Sequence, residues 1–261
     1  MPWVDVNGND IYYAEAGSGP PIVFLHGFSS CAEAWYQQFA VFADRYRVIA
    51  YDSINHGHSS NSPRDEDEPD RADELEGVLK ALEIEQPVLA GNSMGGSTIL
   101  RWATRHPNAA AALVVSGMGV MPADAAAPPA REPLSEDKLF IPVGDSFTAE
   151  FKERQPLMLE RYYRIRSTAT RLEALRHPRR PANRTAAERG EVADRVPKIQ
   201  SPMVIVVGEL DRLRPAAVRL HELLPQAEYV EIPGGPHNAY WEMAEPWNAA
   251  VADFLTKTLA P

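Results

Sequence analysis

Cysteine is almost missing from this chain of 261 residues. Cys31 stands alone, which excludes an internal disulfide framework and fits a reducing compartment or a plain core thiol. Long apolar runs are also missing. No stretch approaches the roughly 20 apolar residues that a membrane-spanning helix needs. The opening MPWVDVNGNDIYY lacks the basic and apolar regions of a secretion signal, so a cytoplasmic location is expected. Positive charge is in deficit: 26 basic against 36 acidic side chains leave −10 at pH 7. That balance argues against nucleic-acid binding, which needs clustered Lys and Arg facing phosphates, and no membrane partner is indicated. Internal repeats are absent, and low complexity is confined to a short Ala/Pro stretch near 123–130. What remains is 44% apolar and 24% charged, the make-up of a globular domain long enough to bury a sizeable core.

Segments of β character alternate with helical ones, the pattern of a mostly parallel α/β sheet. The start differs, because Trp3–Val6 and Ile11–Ala14 flank Asn7-Gly8, a turn dipeptide that predicts an antiparallel hairpin. Strands are then expected at Pro21–Leu25, Tyr46–Tyr51, Val88–Ala90, Ala112–Val115, Met203–Val207 and Tyr229–Ile232. An amphipathic stretch covers Cys31–Ala43. The acidic segment Asp65–Asp70 opens a helix whose apolar face is Ala72, Leu75, Val78, Leu79 and Leu82. Further helices are expected from Met94 to Arg105, from Pro215 to Leu224, and from about Ala239 to Leu259. Residues 121–198 break the alternation, with many prolines and no strong strand. Residues 118–198 carry 12 Arg and 3 Lys against 12 acidic side chains, a net +3 that leaves −13 on the rest. The block reads as a helical cap (lid) inserted after the sixth strand, with 1–120 and 199–261 as one core domain.

Gly91-Asn92-Ser93-Met94-Gly95 fits the G-x-S-x-G nucleophile elbow and lies between an apolar strand and a helix. A serine on so sharp a turn projects its hydroxyl away from the backbone, and the glycines keep neighbouring side chains clear. The helix behind it presents the Met94 N–H and a positive dipole end to a developing oxyanion. Such a serine needs a base, and the base an orienting acid. Among seven histidines, His237 follows the last strand in a Pro-Gly-Gly-Pro-His loop, whereas His106, His177 and His221 sit at a helix end, in the insertion and within a helix. For the acid, Asp211 in Gly208-Glu209-Leu210-Asp211-Arg212 is favoured because it lies beyond the strand in the loop, with Glu209 as the alternative. No carboxylate occurs between Ala111 and Ala123, so an acid after the preceding strand is less available. Gly27, after the Pro21–Leu25 strand, permits a turn that aims the Phe28 N–H inward as a second oxyanion donor. His26 reads as a buttress of that loop. His56 and His58 flank a glycine with no further Asp/His cluster, so metal binding is not expected.

Taken together, the chain resembles the α/β-hydrolase fold over essentially its whole length. The resemblance rests on His26-Gly27-Phe28, Asp52-Ser53-Ile54-Asn55-His56-Gly57-His58-Ser59, the elbow at Gly91–Gly96, Gly208–Asp211 and Gly235-Pro236-His237, with Ser, Asp and His in that family's chain order. Asn55 stands where the family's D-x-x-G-x-G-x-S loop has Gly, a position whose left-handed geometry Asn tolerates. Serine at 93 separates the chain from epoxide hydrolases and haloalkane dehalogenases, which use aspartate there. The Gly-Asn-Ser-Met-Gly-Gly run and Trp241-Glu242 resemble meta-cleavage-product carbon–carbon hydrolases. The Phe28-Ser29-Ser30 loop, which lacks that group's Gly-Pro-Gly, and Asn238, in place of its tryptophan, depart from them, and the His-Gly-Phe loop looks more like that of general esterases, lactonases and cofactor-free perhydrolases.

The resemblance implies a carboxylesterase-like serine hydrolase of a small ester or lactone, with Ser93, Asp211 and His237 catalytic, Phe28 and Met94 as oxyanion donors, and no metal or organic cofactor. A carbon–carbon hydrolase acting on a ketone is the alternative. A ligand receptor on the same scaffold would differ by failing to turn over. Asn92, Arg161, Tyr162 and Trp241 are candidate substrate contacts. Cap residues Phe147, Phe151, Leu157, Met158, Leu159, Tyr162 and Tyr163 line an apolar acyl pocket or form the cap's own core. The basic excess there suggests a carboxylate-bearing substrate steered by an arginine such as Arg161 or Arg164.

Overall fold

The structure is a computed structural model that describes residues 2–61, 70–121, 144–169 and 192–259. One eight-stranded sheet runs through it in the order β1-β2-β4-β3-β5-β6-β7-β8. The strands are β1 (Trp3–Val6), β2 (Asn9–Ala16), β3 (Pro21–Leu25), β4 (Arg47–Tyr51), β5 (Val88–Asn92), β6 (Ala112–Ser116), β7 (Met203–Gly208) and β8 (Glu228–Ile232). β1 and β2 form the expected hairpin, in register Val6 to Asn9, across Asn7 and Gly8 at φ 53° and 80°. β2 is antiparallel to β4, and every later pairing is parallel.

Alternate residues of the strands feed two separate cores. Val23, Leu25, Leu113, Val115, Ile205 and Val207 face one side, with Leu75 and Val78 of α2 (Arg71–Ala81), Ile99 and Trp102 of α3 (Met94–Arg105) and Leu220 of α6 (Arg214–Leu223). Ile22, Phe24, Ala112, Val114, Val204 and Val206 face the other, with Trp35, Phe42 of α1 (Tyr36–Phe42), and Trp247, Val251 and Phe254 of α8 (Ala244–Thr258). Because helices cover both faces, β5, β6 and β7 are buried at every residue, which is why they read as continuous apolar runs.

β3 lies between β4 and β5, so the chain crosses to one side of β3 and then to the other. The loops leaving β3 and β5 therefore diverge at the carboxyl edge and open a crevice between them.

Between β6 and β7 the described part of the insertion holds α4 (Ala149–Arg154) and α5 (Pro156–Ala169), and α7 (Ala239–Glu242) follows β8. Thr148 caps α4 by accepting the Phe151 N–H. The expected acidic start at 65–69, the Ala/Pro stretch at 123–130 and His177 fall outside the described residues. Asp70 is described, and it caps α2 through the Ala72 N–H.

Two helices differ from expectation. The Cys31–Ala43 stretch is a 3-10 turn, Ala32–Trp35, followed by α1. The C-terminal helix, expected as one from Ala239, is divided at Met243 (φ −117°, ψ 51°) into α7 and α8. Pro246 accounts for the division: a helix continued through it would drive the ring into the Glu242 carbonyl and lose a hydrogen bond.

Candidate active site

Ser93 sits between β5 and α3 at φ 53° and ψ −109°, a strained conformation for a residue with a side chain. Its N–H is held by the Ser116 carbonyl at 2.9 Å and its carbonyl accepts the Ser97 N–H at 2.9 Å. The hydroxyl has no hydrogen-bond partner among the described residues, and Ser93 is half-buried. Gly95 makes the turn possible: a Cβ there would collide with the Leu25 carbonyl, so only glycine lets α3 approach β3.

That approach brings the β3 loop against the serine. A Cβ on Gly27 would lie 3.6 Å from the Ser93 Cβ and 3.6 Å from the Asn92 carbonyl oxygen. Ser29 at φ 61° and a bond from the Ser30 N–H to the Gly27 carbonyl (3.2 Å) turn the loop there. Phe28 and Met94 are both half-buried beside this turn. His26 is 1% exposed, accepts the Ser53 N–H on Nε2 (3.0 Å) and therefore carries its proton on Nδ1, which donates to the Gly27 carbonyl (2.8 Å). Burial lowers its pKa from 6.5 to about 4, against the pull of Asp52, so it stays neutral and braces the loop. Asp52, itself buried, accepts the N–H groups of Ala32 (2.7 Å) and His58 (2.8 Å), and Asn55 takes the left-handed φ of 68° expected of it. Burial, reinforced by Asp52, pushes the Cys31 thiol up to about 12 and keeps it uncharged.

The loop after β8 carries His237, and the loop after β7 carries Asp211. The His237 Nδ1–H donates to both carboxylate oxygens, at 2.9 and 3.0 Å. They are 8% and 4% exposed, so water screens this pair little. Asp211 is fixed in turn by the Leu213 N–H at 2.9 Å. Glu209, the alternative acid, is exposed and instead accepts the Gly234 N–H at 2.7 Å, fastening the β7 loop to the β8 loop.

A Cβ on Gly117, at the end of β6, would lie 2.9 Å from Asn92 Oδ1, 3.1 Å from Asp211 Oδ2 and 3.2 Å from the His237 carbonyl. The residues singled out at the ends of β5, β7 and β8 thus converge on one spot. Gly117 was not foreseen as part of it, although Asn92 pairs with Ser116 in the sheet, one residue before it. Among the described residues no group of three or more His, Cys, Asp or Glu is arranged to hold a metal.

The candidate substrate contacts divide. Asn92 is 1% exposed, and its Nδ2 donates to Asn238 Oδ1 at 3.4 Å. Tyr162 on α5 is buried, accepts the Asn238 Nδ2–H at 3.0 Å, and meets Phe147 and Trp241 edge-on at 4.8 and 5.0 Å. Trp241 is 1% exposed, within the aromatic core. Arg161 is exposed, its guanidinium 3.6 Å over the Tyr36 ring, and Arg164 is exposed and paired with Glu160 at 2.6 Å. Neither arginine joins the site residues. Of the apolar cap residues, Phe147, Phe151 and Tyr162 are buried, Met158, Leu159 and Tyr163 pack against them, and Leu157 is exposed.

A doubly wound sheet with a serine at positive φ on the β5–α3 turn, and a His–Asp pair on the edge loops, defines the α/β-hydrolase architecture. The sequence pattern of the alpha/beta hydrolase family matches residues 22–253, and the chain belongs to that family. It is 30% identical, over 94% of its own length and 91% of the relative's, to 2-hydroxy-6-oxo-6-phenylhexa-2,4-dienoate hydrolase of Comamonas testosteroni. Its fold is similar to Est816, an N-acyl homoserine lactone degrading enzyme (TM-score 0.81, 26% identity, 97% of this chain and 100% of that one). The enol-lactonase from Burkholderia xenovorans LB400 shares the fold (TM-score 0.78, 23% identity, 98% and 100%). Membership makes the chain an enzyme of the hydrolase superfamily. No helix among the described residues is long and apolar enough to cross a membrane.

Proposed function

We propose that the chain is a serine hydrolase that opens a carboxylic ester or lactone of a small organic molecule through an acyl-enzyme. The observations that carry this reading are the buried His237–Asp211 pair on the loops after β8 and β7, and a serine held at positive φ with a free hydroxyl on the turn after β5. His237 Nε2 takes the Ser93 proton as the oxygen attacks the carbonyl. The amides of Phe28 and Met94 stabilise the oxyanion, and Asp211 holds the tautomer and the imidazolium. The proton passes to the leaving alcohol. Water, activated by the same histidine, then releases the acid and restores Ser93. The steps use no metal or organic cofactor. Residues 121–198 act as the cap over the core formed by 1–120 and 199–261, and the single buried thiol accords with a cytoplasmic site of action.

Carbon–carbon hydrolysis of a ketone is a second reading, favoured by the Gly91–Gly96 run and by the Comamonas relative. Burst kinetics with p-nitrophenyl esters of graded chain length decide between them. A burst and steady turnover, both lost in Ser93→Ala, are expected. Fluorophosphonate labelling of Ser93 without ester turnover would move the assignment to carbon–carbon substrates, and labelling with a single turnover to a receptor. An unlabelled wild type would sink the serine reading.

A further inference from the structure

Asn238, next to His237, is 4% exposed, and its polar groups engage separate parts of the molecule. Its N–H donates to the Ser146 carbonyl at 3.0 Å, and its Nδ2 donates to the Tyr162 hydroxyl on α5 at 3.0 Å. Its Oδ1 accepts from Asn92 Nδ2 at 3.4 Å, one residue before Ser93. Its carbonyl accepts the Trp241 and Glu242 N–H groups, at 2.9 and 3.0 Å, and so starts α7. Asn92 Oδ1 has no partner among the described residues, so Asn238 is the polar group that holds this carboxamide. A second tie lies four residues on. Glu242 accepts the N–H of Thr148 at 3.0 Å and its hydroxyl at 2.5 Å, at the cap of α4. The segment 237–242 is thus both the carrier of the imidazole and the seat of the inserted helices.

We propose that Asn238 is a positioning residue that links the docking of α5 to the placement of His237 and Ser93. The proposal rests on the serine-hydrolase reading. Both side-chain bonds are buried, so water does not replace a lost one, and the partners left unpaired pull away from their places. An imidazole displaced by a fraction of an ångström still folds with its loop but transfers protons slowly.

The test is a double-mutant cycle of Asn238→Leu, which removes both bonds while keeping the branched shape of the side chain, and Tyr162→Phe, which removes the cap partner alone. The readouts are kcat and KM on p-nitrophenyl acetate and p-nitrophenyl butyrate, and the rate of fluorophosphonate labelling. Tyr162→Phe is expected to lose about tenfold in kcat, the worth of one buried hydrogen bond, and Asn238→Leu, which gives up two, at least as much, with KM changed less. Labelling slows in step. The double variant is expected to be no worse than Asn238→Leu, because both changes cut one link. Losses that multiply to about a hundredfold overturn the proposal, as does wild-type kcat in Tyr162→Phe. Should Asn238→Leu fail to fold, Tyr162→Phe decides alone, a tenfold fall supporting and an unchanged kcat refuting. A wild type that neither labels nor turns over removes the serine reading and the link with it. An active, labelled wild type with multiplicative losses removes the link alone.

Discussion

Exchanging Asp211 for asparagine takes away one charge and almost no volume, and its effect follows from the contacts around the carboxylate. The Leu213 N–H donates to Oδ1 at 2.9 Å, so an amide at 211 turns its oxygen to Leu213 and its NH₂ to the place of Oδ2. That place is 2.9 Å from His237 Nδ1. The NH₂ then competes to donate to Nδ1, and although the amide oxygen stays 3.0 Å from that nitrogen, the balance moves toward a ring proton on Nε2, the nitrogen that has to accept from Ser93. Restoring the productive tautomer sets N–H against NH₂, and the developing imidazolium loses its counter-charge. The combined effect is a fall in kcat of about four orders of magnitude, or roughly 5.5 kcal/mol. The assay is kcat and kcat/KM on a p-nitrophenyl ester between pH 6 and 9, with circular dichroism to show that the fold persists. A folded Asp211→Asn retaining more than a tenth of wild-type turnover would refute the reasoning and leave the pair as a loop tether.

Ser93→Gly should relieve the strained turn and raise stability by about 1 kcal/mol while abolishing turnover; a thermal midpoint no higher than that of Ser93→Ala counts against stored strain. Gly95→Ala should cost about 3 kcal/mol by forcing α3 off the Leu25 carbonyl, measured by urea titration, and an unchanged midpoint would contradict the packing at the elbow. His26 binds its proton less readily folded than unfolded, with a pKa near 4 against 6.5. The unfolded chain therefore takes up more protons between those values, and stability falls as pH drops from 6.5 to 4, by about 3 kcal/mol at the lower end. Urea midpoints of wild type and His26→Gln across that window check this, the variant being expected to lose less; equal slopes would disprove it.

The central sheet was legible because β3, β5, β6 and β7 are covered on both faces and announce themselves as unbroken apolar runs. The elbow was legible for a related reason: close approach of α3 to β3 admits only glycine at 95, and such a demand leaves a mark in the sequence. Local physics of this kind can be read from neighbours in the chain. The division at Met243 could also have been read, since Pro246 forbids a hydrogen bond four residues earlier. Gly117 and Asn238 were not legible in that way. Their partners stand far along the chain, Asn238 being 146 residues from Asn92 and 76 from Tyr162, and no periodicity encodes a contact at such separations. Arg161 shows the reverse case. Its charge suggested a substrate, but α5 turns it to solvent, where the Tyr36 ring receives it.

The two faces of the sheet also differ in what light they absorb. Trp35, Trp241 and Trp247 all lie in the core shared by α1, α8 and the inserted helices, whereas the α2–α3 side holds Trp102 and is otherwise mostly aliphatic. Trp3 is half in solvent on the first strand, at 45% exposure. Near-ultraviolet dichroism therefore watches mainly the half of the molecule on which α4 and α5 sit. A loosening that began at α2 would leave most of that signal standing, while one that lifted α5 from Trp241 would register at once.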